Sequence, residues 1–252
     1  MKNQNFNKGI TLTALGSFWW GVIGVVYFKY ISFAGPIEVV IHRCIWTSAV
    51  LIITTFYFSK WNIFFEIIFN KKKLIWLFFS GLLIFINWAT WIYAVGTEKI
   101  IDASFGYFIM PILSVFLGYV FYNEKINRKR SVSIILVLIS ILFLLSVNYN
   151  SIPWVGIIVA LSWGFYNLLR KKINVDTDVG LLIESLFILP FALFSFYLIF
   201  QNGLNDFSLT SPSLMLIFML AGPMTVIPLF MYVRGVELCG LGPTGMIFYI
   251  TP

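Results

Sequence analysis

Charge is scarce in this chain. Of its 252 residues only 11% are Asp, Glu, Lys or Arg, against 60% hydrophobic. A soluble fold of this length could not cover its surface with so few polar side chains, whereas lipid accepts an apolar exterior. A water-soluble globular domain is therefore excluded. Histidine is nearly missing too, and the single His42 leaves little room for acid–base catalysis. The two cysteines, Cys44 and Cys239, have neither the number nor the spacing of a disulfide framework or a zinc site, so both read as free thiols. There is no Gly-rich phosphate loop and no His/Cys/Asp cluster with metal spacing. No enzyme, cofactor or metal is expected, and ATP-driven work would need a partner protein.

Long apolar runs are what the sequence does have, with a mean hydropathy of +0.93. Runs of about 20 residues, enough to cross the hydrocarbon as a helix, fall near 10–31, 37–58, 74–96, 103–122, 131–147, 152–169, 179–200 and 213–233, and a ninth begins near 241. The first has the basic start of a signal peptide, but it is longer than a signal core and lacks a small-residue cleavage site, so it reads as a retained helix. The net charge of +7 lies in short clusters between runs, as loop-anchoring charge does, and does not point to nucleic acid. With the N-terminus in the cytoplasm, the inner loops hold Lys2, Lys8, Lys60, the 71–73 lysines, Lys125, the 128–130 cluster, the 170–172 cluster and Arg234. The outer loops hold only Lys29 and Lys99. That asymmetry sets the orientation.

The halves echo each other. Trp20-Gly21 in "SFWWGVIGVVYFKYI" matches Trp163-Gly164 in "ALSWGFYNLLRKKI", and the passage from "YAVGTEK" to "FGYFIMP" matches that from "YVRGVEL" to "IFYITP". Five spans per unit is odd, so the second unit enters the membrane from the opposite side, giving inverted repeats. Pro111, Pro228 and Pro252 are read as helix breaks, because proline removes an intrahelical hydrogen bond, and in lipid such a break is tolerated beside packed neighbours or a water-filled cavity. A kinked but purely structural helix is the other reading of Pro228.

The motifs "HRCIW" (42–46), "NWATWIYAV" (87–95), "ASFGYFIMP" (103–111), "NEK" (123–125), "FYNLLRKKI" (165–173), "LLIES" (181–185), "TVIPL" (225–229) and "FYITP" (248–252) together resemble a RarD-type protein of the EamA branch of the drug/metabolite transporter superfamily. The resemblance implies an all-α polytopic membrane protein of ten helices in two inverted five-helix repeats around a central cavity. Here residues 1–149 would be the first repeat. Residues 150–252 would be an inverted, truncated second one of three helices plus part of a fourth, with the ninth helix cut short and the tenth absent. It implies an inner-membrane secondary transporter, an exporter of small organic metabolites or drug-like compounds by alternating access. The alternatives are an uncoupled channel or facilitator on the same fold, and a non-transporting membrane sensor or assembly protein. The expected partners are the lipid bilayer, a small-molecule substrate and, as an option, a second copy in a homodimer.

Polar residues at membrane depth are site candidates by default. Arg43 near the start of the second span and Glu184 at a comparable place in the seventh are expected to pair, as a static brace or as a gate. Glu38, on the same helix as Arg43, is a rival partner. His42 is a candidate for proton coupling, or simply a histidine satisfied by a carbonyl or water. The first span has no acidic residue, so the glutamate-driven exchange of small multidrug transporters has no counterpart there. Asn87 and Trp91, at i and i+4, share a helix face. With Trp20, Tyr107, Trp163, Tyr166, Asn167, Thr225 and Tyr249 they are the candidates for a cavity lining, provided that Gly21, Gly106 and Gly164 let the helices approach. Each ring has helix packing as its competing role.

Overall fold

The computed structural model describes residues 2–148 and 153–251, and every regular element among them is helical. Helix α1 (Lys2–Phe18) runs through a π-helical turn at Trp19–Gly24 into α2 (Val25–Tyr30), and a 3₁₀ turn at Ile31–Ala34 leads to α3 (Gly35–Tyr57). A short α4 (Trp61–Phe69) precedes α5 (Lys71–Gly96), α6 (Ile100–Tyr122) and α7 (Arg128–Asn148). Then come α8 (Trp154–Ile173), α9 (Thr177–Gln201), α10 (Pro212–Met219), α11 (Ala221–Cys239) and α12 (Leu241–Ile247), the last followed by a 3₁₀ turn at Phe248–Ile250.

Five of these stretches are long and apolar enough to cross a membrane: Gln4–Tyr57, which holds α1 to α3, Lys71–Gly96, Ile100–Tyr122, Thr177–Gln201 and Pro212–Cys239. Large apolar side chains such as Phe56, Phe191 and Phe194 project outward from them, an arrangement that suits lipid and would be an aggregation liability in water. Each apolar run overlaps a helix, although α7 and α8, over the runs 131–147 and 152–169, are not among those five stretches, and every helix but one overlaps a run. The exception is α4, which the run pattern does not announce: it is apolar but only nine residues long, and it tucks Ile67 against Leu77, Val179 and Ile183.

Two expected helix breaks are not breaks. Pro111 and Pro228 lie buried inside the continuous helices α6 and α11. A proline deletes one donor and frees one carbonyl, and with neighbours packed on both sides the rest of the ladder stays in register. The backbone departs from α-helix elsewhere, in the π turn around Trp20 and at Leu220 between α10 and α11. Pro252 and the expected 149/150 repeat junction lie outside the described residues.

Helix α1 packs along α11, α5 and α6 pack on α8, α3 packs on α9 and α11, and α12 packs on α6. In lipid no hydrophobic force drives such contacts, so close packing and polar bonds must supply the cohesion. Gly21, Gly106 and Gly164 do sit where helices approach: a Cβ on Gly106 would run into the Gly156 carbonyl oxygen, and one on Gly21 into that of Thr251. Gly106→Val should therefore force α6 off α8 at a cost of about 1–3 kcal/mol, read as a lower unfolding midpoint of the detergent-purified protein.

One end of the bundle is tied by charge. Lys60, in the link from α3 to α4, reaches Asp176 at 3.1 Å and Asp178 at 2.7 Å. Burial works against its ammonium group, but the two aspartates outweigh it and hold the lysine above its usual pKa. Glu124, just past the left-handed Asn123 that ends α6, accepts from the backbone N–H groups of Leu241 (2.9 Å) and Gly242 (2.7 Å) and pairs with Lys171. It thus caps α12 and fastens it to α6 and α8. Gly240 makes this approach feasible, with φ +93° and no room for a Cβ beside the Glu124 carboxylate.

The expected Arg43–Glu184 pair does not form. Glu184 faces α8 and α5: Arg170 Nη1 lies 3.5 Å from its Oε1, Tyr166 donates to its Oε2 at 3.2 Å, and Ser80 also donates to it. Arg170, 1% exposed, further donates to the Thr177 carbonyl (3.1 Å) and lies 3.9 Å from Glu237, which Arg234 and the Thr177 hydroxyl also hold. Arg43 and Glu184 lie at similar depth, but helix rotation turns Glu184 to Arg170 on α8. Arg170→Met strands the buried Glu184 carboxylate, whereas Glu237 keeps Arg234 and Thr177, and should cost about 3–5 kcal/mol in unfolding measurements. Adding Glu184→Gln should return part of that loss, and strictly additive losses would sink the pairing.

Candidate functional site

A cavity of about 290 Å³ opens among α2, α5 and α6, at the low end of the size range for small-molecule sites. Lys29 near the end of α2, Val95 near the end of α5, and Ile100 and Ser104 at the start of α6 line its outer part. These four positions share one end of the bundle, opposite the charged network. Deeper in, the lining passes Trp88, Trp91, Asn87, Tyr107 and Met110 to Arg43, Trp20, Trp163 and Phe248.

The π turn is what turns Trp20 inward. Gly21 and Gly24, in the same turn, contribute open wall, and the irregular backbone lies against the cavity, where π-type irregularities in helices are often found. Trp20 meets Trp163 edge-on at 5.1 Å between centroids, and Trp163 and Phe248 each lie 5.1 Å from Tyr232. Offset and edge-to-face contacts of this kind favour a rigid aromatic floor. Below it lie Tyr166, Glu184 and Arg170.

Arg43 is the most unusual group in the cavity. It is 4% exposed, and its guanidinium is sandwiched with its carbon 4.7 Å from the ring centroids of both Phe28 and Trp88. Its Nε donates to Thr225 Oγ1 at 3.0 Å. Among the described residues no carboxylate lies within 4.0 Å of it, the other six ion pairs of Arg or Lys being those of Lys60, Arg170, Lys171 and Arg234. Two rings and one hydroxyl stabilise the charge in part, and its two terminal nitrogens remain without a hydrogen-bond partner among the described residues.

Of the nine expected lining residues the structure brings five to the cavity: Trp20, Asn87, Trp91, Tyr107 and Trp163. Asn87 is also anchored, donating to the Val159 carbonyl at 3.0 Å and Ser162 Oγ at 3.1 Å. The other four hold structure. Tyr166 braces Glu184, Asn167 donates to the Trp163 carbonyl (3.0 Å), Thr225 positions Arg43, and Tyr249 donates to the Phe108 carbonyl at 3.2 Å. Phe28, Trp88 and Phe248 line the cavity without having been expected there. For Trp88 a signal existed, since it stands at i, i+3 to Trp91; for Phe28 and Phe248 the sequence offers none beyond their neighbourhood.

Glu38 and His42 lie off the cavity. Glu38 accepts from the backbone N–H groups of Asp206 (2.8 Å) and Phe207 (2.8 Å), tying α3 to the α9–α10 link, so it is no partner of Arg43. His42 Nε2 stands 3.6 Å from Glu38, its Nδ1 accepts from Trp46 at 3.2 Å, and the rings of Phe207 and Phe218 pack against it. The histidine thus sits in an apolar enclosure, with Trp46 on its Nδ1 and Glu38 the nearest carboxylate to its Nε2.

The EamA-like transporter family matches residues 7–146. An uncharacterized transporter of Bacillus subtilis (strain 168), YojE, is 31% identical over 255 residues, which cover 100% of this chain and 84% of YojE. An uncharacterized transporter of Vibrio cholerae is 32% identical over 249 residues, 99% of this chain and 82% of the relative. The protein RarD of Escherichia coli (strain K12) is 31% identical over 252 residues, 100% of this chain and 84% of RarD. These matches, together with helices long and apolar enough to cross a membrane, make this a multi-pass membrane protein that belongs to the EamA-like transporter family, among its RarD-type members.

Proposed function

We propose that the chain is a secondary carrier of the bacterial inner membrane that moves small organic compounds by alternating access between two inverted repeats, with the N-terminus in the cytoplasm. The observation that carries this reading is a cavity whose lining runs from Lys29 and Ser104 to Trp20, Trp163 and Phe248, rings that pack on Tyr232, while none of its described lining residues belongs to the ion pairs of Arg170, Lys60 and Lys171. A permanently open channel needs a path through; a carrier needs one end shut. Given the basic clusters, the shut end faces the cytoplasm.

The packing supports the inverted repeat. If α1, α3, α5 and α6 correspond to α8, α9, α11 and α12, the contact of α1 with α11 has its image in that of α8 with α5, and the contact of α3 with α11 has its image in that of α9 with α5. The contacts of α3 with α9 and of α6 with α12 map onto themselves. Such exchange symmetry supplies two arrangements of similar energy. Export is the direction that the family resemblance implies.

Loosening the cytoplasmic tie tests the mechanism. In a Cys44→Ala/Cys239→Ala background, a membrane-impermeant thiol reagent should reach Ser104→Cys from outside and leave Asn167→Cys, behind the floor, nearly inert. Glu237→Gln removes one of Arg170's two carboxylates and should tilt the balance by about 1–2 kcal/mol, a factor of roughly 5–30 in population. Labelling at position 167 from the cytoplasmic side should then rise several-fold while labelling at position 104 falls. A rise at both positions would indicate a channel, and no change at either would sink alternating access.

A further inference from the structure

Resting on that carrier reading, we infer that the cavity takes a small organic monocarboxylate with an aromatic or branched apolar body, its carboxylate held by the free terminal nitrogens of Arg43.

The cavity is one-signed. Its described lining residues include two basic ones, Lys29 and Arg43, and no acidic one. Glu98 and Asp102 lie near its mouth but do not line it, and Glu38 is occupied by Asp206, Phe207 and His42. An arginine 96% removed from solvent normally brings its counter-charge, as Arg170 does with Glu184 and Glu237. Among the described residues Arg43 has none, and it is held in place by Thr225, Phe28 and Trp88. The uncompensated charge lies in the cavity wall, so the counter-charge that completes it is the ligand's.

Geometry narrows the anion. With Nε already bonded to Thr225, what remains is the pair of Nη groups, donors suited to one planar carboxylate. A phosphate dianion calls for further donors, and only Lys29 adds a second cation, out at the mouth. The rest of the wall describes the ligand's body. Trp20, Trp91, Trp163 and Phe248 with Val25 and Met110 offer flat and apolar surface, and Asn87 and Tyr107 offer only a small polar margin. Trp88 Nε1 is a further buried donor without a partner. The surplus is in donors, which again asks for acceptors from the ligand.

The test uses the full chain in nanodiscs at neutral pH, with phenylacetate, phenylacetamide, phenethylamine and benzyl phosphate as probes, followed by quenching of intrinsic tryptophan fluorescence. Phenylacetate should bind saturably and at least tenfold more tightly than the amide or the amine, and more tightly than benzyl phosphate. Arg43→Gln should weaken phenylacetate at least tenfold and leave the amide unchanged, while Arg43→Lys keeps part of the preference for the acid. The ranking in the unmutated protein decides the matter even if Arg43→Gln fails to fold. Equal binding of acid and amide, tightest binding of the amine or of benzyl phosphate, no saturable binding of phenylacetate, or an acid preference that survives in Arg43→Gln would each overturn the inference. Counterflow in sealed proteoliposomes separates the two levels. Acid-selective binding without trans-stimulated uptake leaves the anion site standing and removes the carrier, whereas equal counterflow of acid and amide keeps the carrier and removes the anion site.

Discussion

Taking a guanidinium out of water costs several kcal/mol unless something inside the protein answers its charge, and this chain does so twice, in two different ways. Arg170 is answered by two carboxylates, Glu184 and Glu237, and by the Thr177 carbonyl. Arg43 is answered by two ring faces and a threonine hydroxyl. The rest of the architecture follows from this difference. Around the satisfied arginine the helices close into an ionic lattice that joins α8, α9 and α11. Around the unsatisfied one they stand apart and leave a cavity.

Hydropathy made the scaffold readable because lipid imposes a length and a composition on each spanning helix. The same cause hid the pairings. A span known only by its ends has depth but no rotation, so Arg43 and Glu184 looked like partners when Glu184 in fact turns toward Ser80 and Arg170. Arg170 went unnoticed because it stands beside Lys171 and Lys172, and three basic residues at a helix end read as an interface anchor. Only the middle of the chain's own packing tells them apart: Arg170 is 1% exposed, and Gly180 is placed so that no Cβ crowds its guanidinium.

The prolines teach a related lesson. Pro111 and Pro228 carry the strongest local signal for a break, yet α6 and α11 run through them, whereas the π turn at Trp19–Gly24 has no proline at all. A break requires the surroundings to offer a better home for the freed groups than the helix does, and a single-residue propensity cannot report that. What the sequence could report was the aromatic supply. Trp20, Trp91, Tyr107 and Trp163 are legible as wall because several rings at one depth must find faces to pack on, while Tyr166, Thr225 and Tyr249 bond to other helices and Asn167 to its own, which the sequence alone does not tell apart.

The position of Arg43 links binding to motion. Its contacts come from three elements far apart in sequence: Phe28 on α2, Trp88 on α5 and Thr225 on α11. A ligand shifts a conformational equilibrium only by as much as it binds one state better than the other. An anion held by one arginine on one helix would see the same partner in every state. Here the guanidinium keeps its aim only while α2, α5 and α11 keep their spacing, and under the proposed repeat assignment α2 and α5 belong to the first half and α11 to the second. Any rocking of one half on the other must therefore change how well the anion is held. That differential is what the proposed carrier needs and a fixed pore does not, with Arg43 in the cavity wall and the ion pairs of Arg170 on the other side of the aromatic cluster.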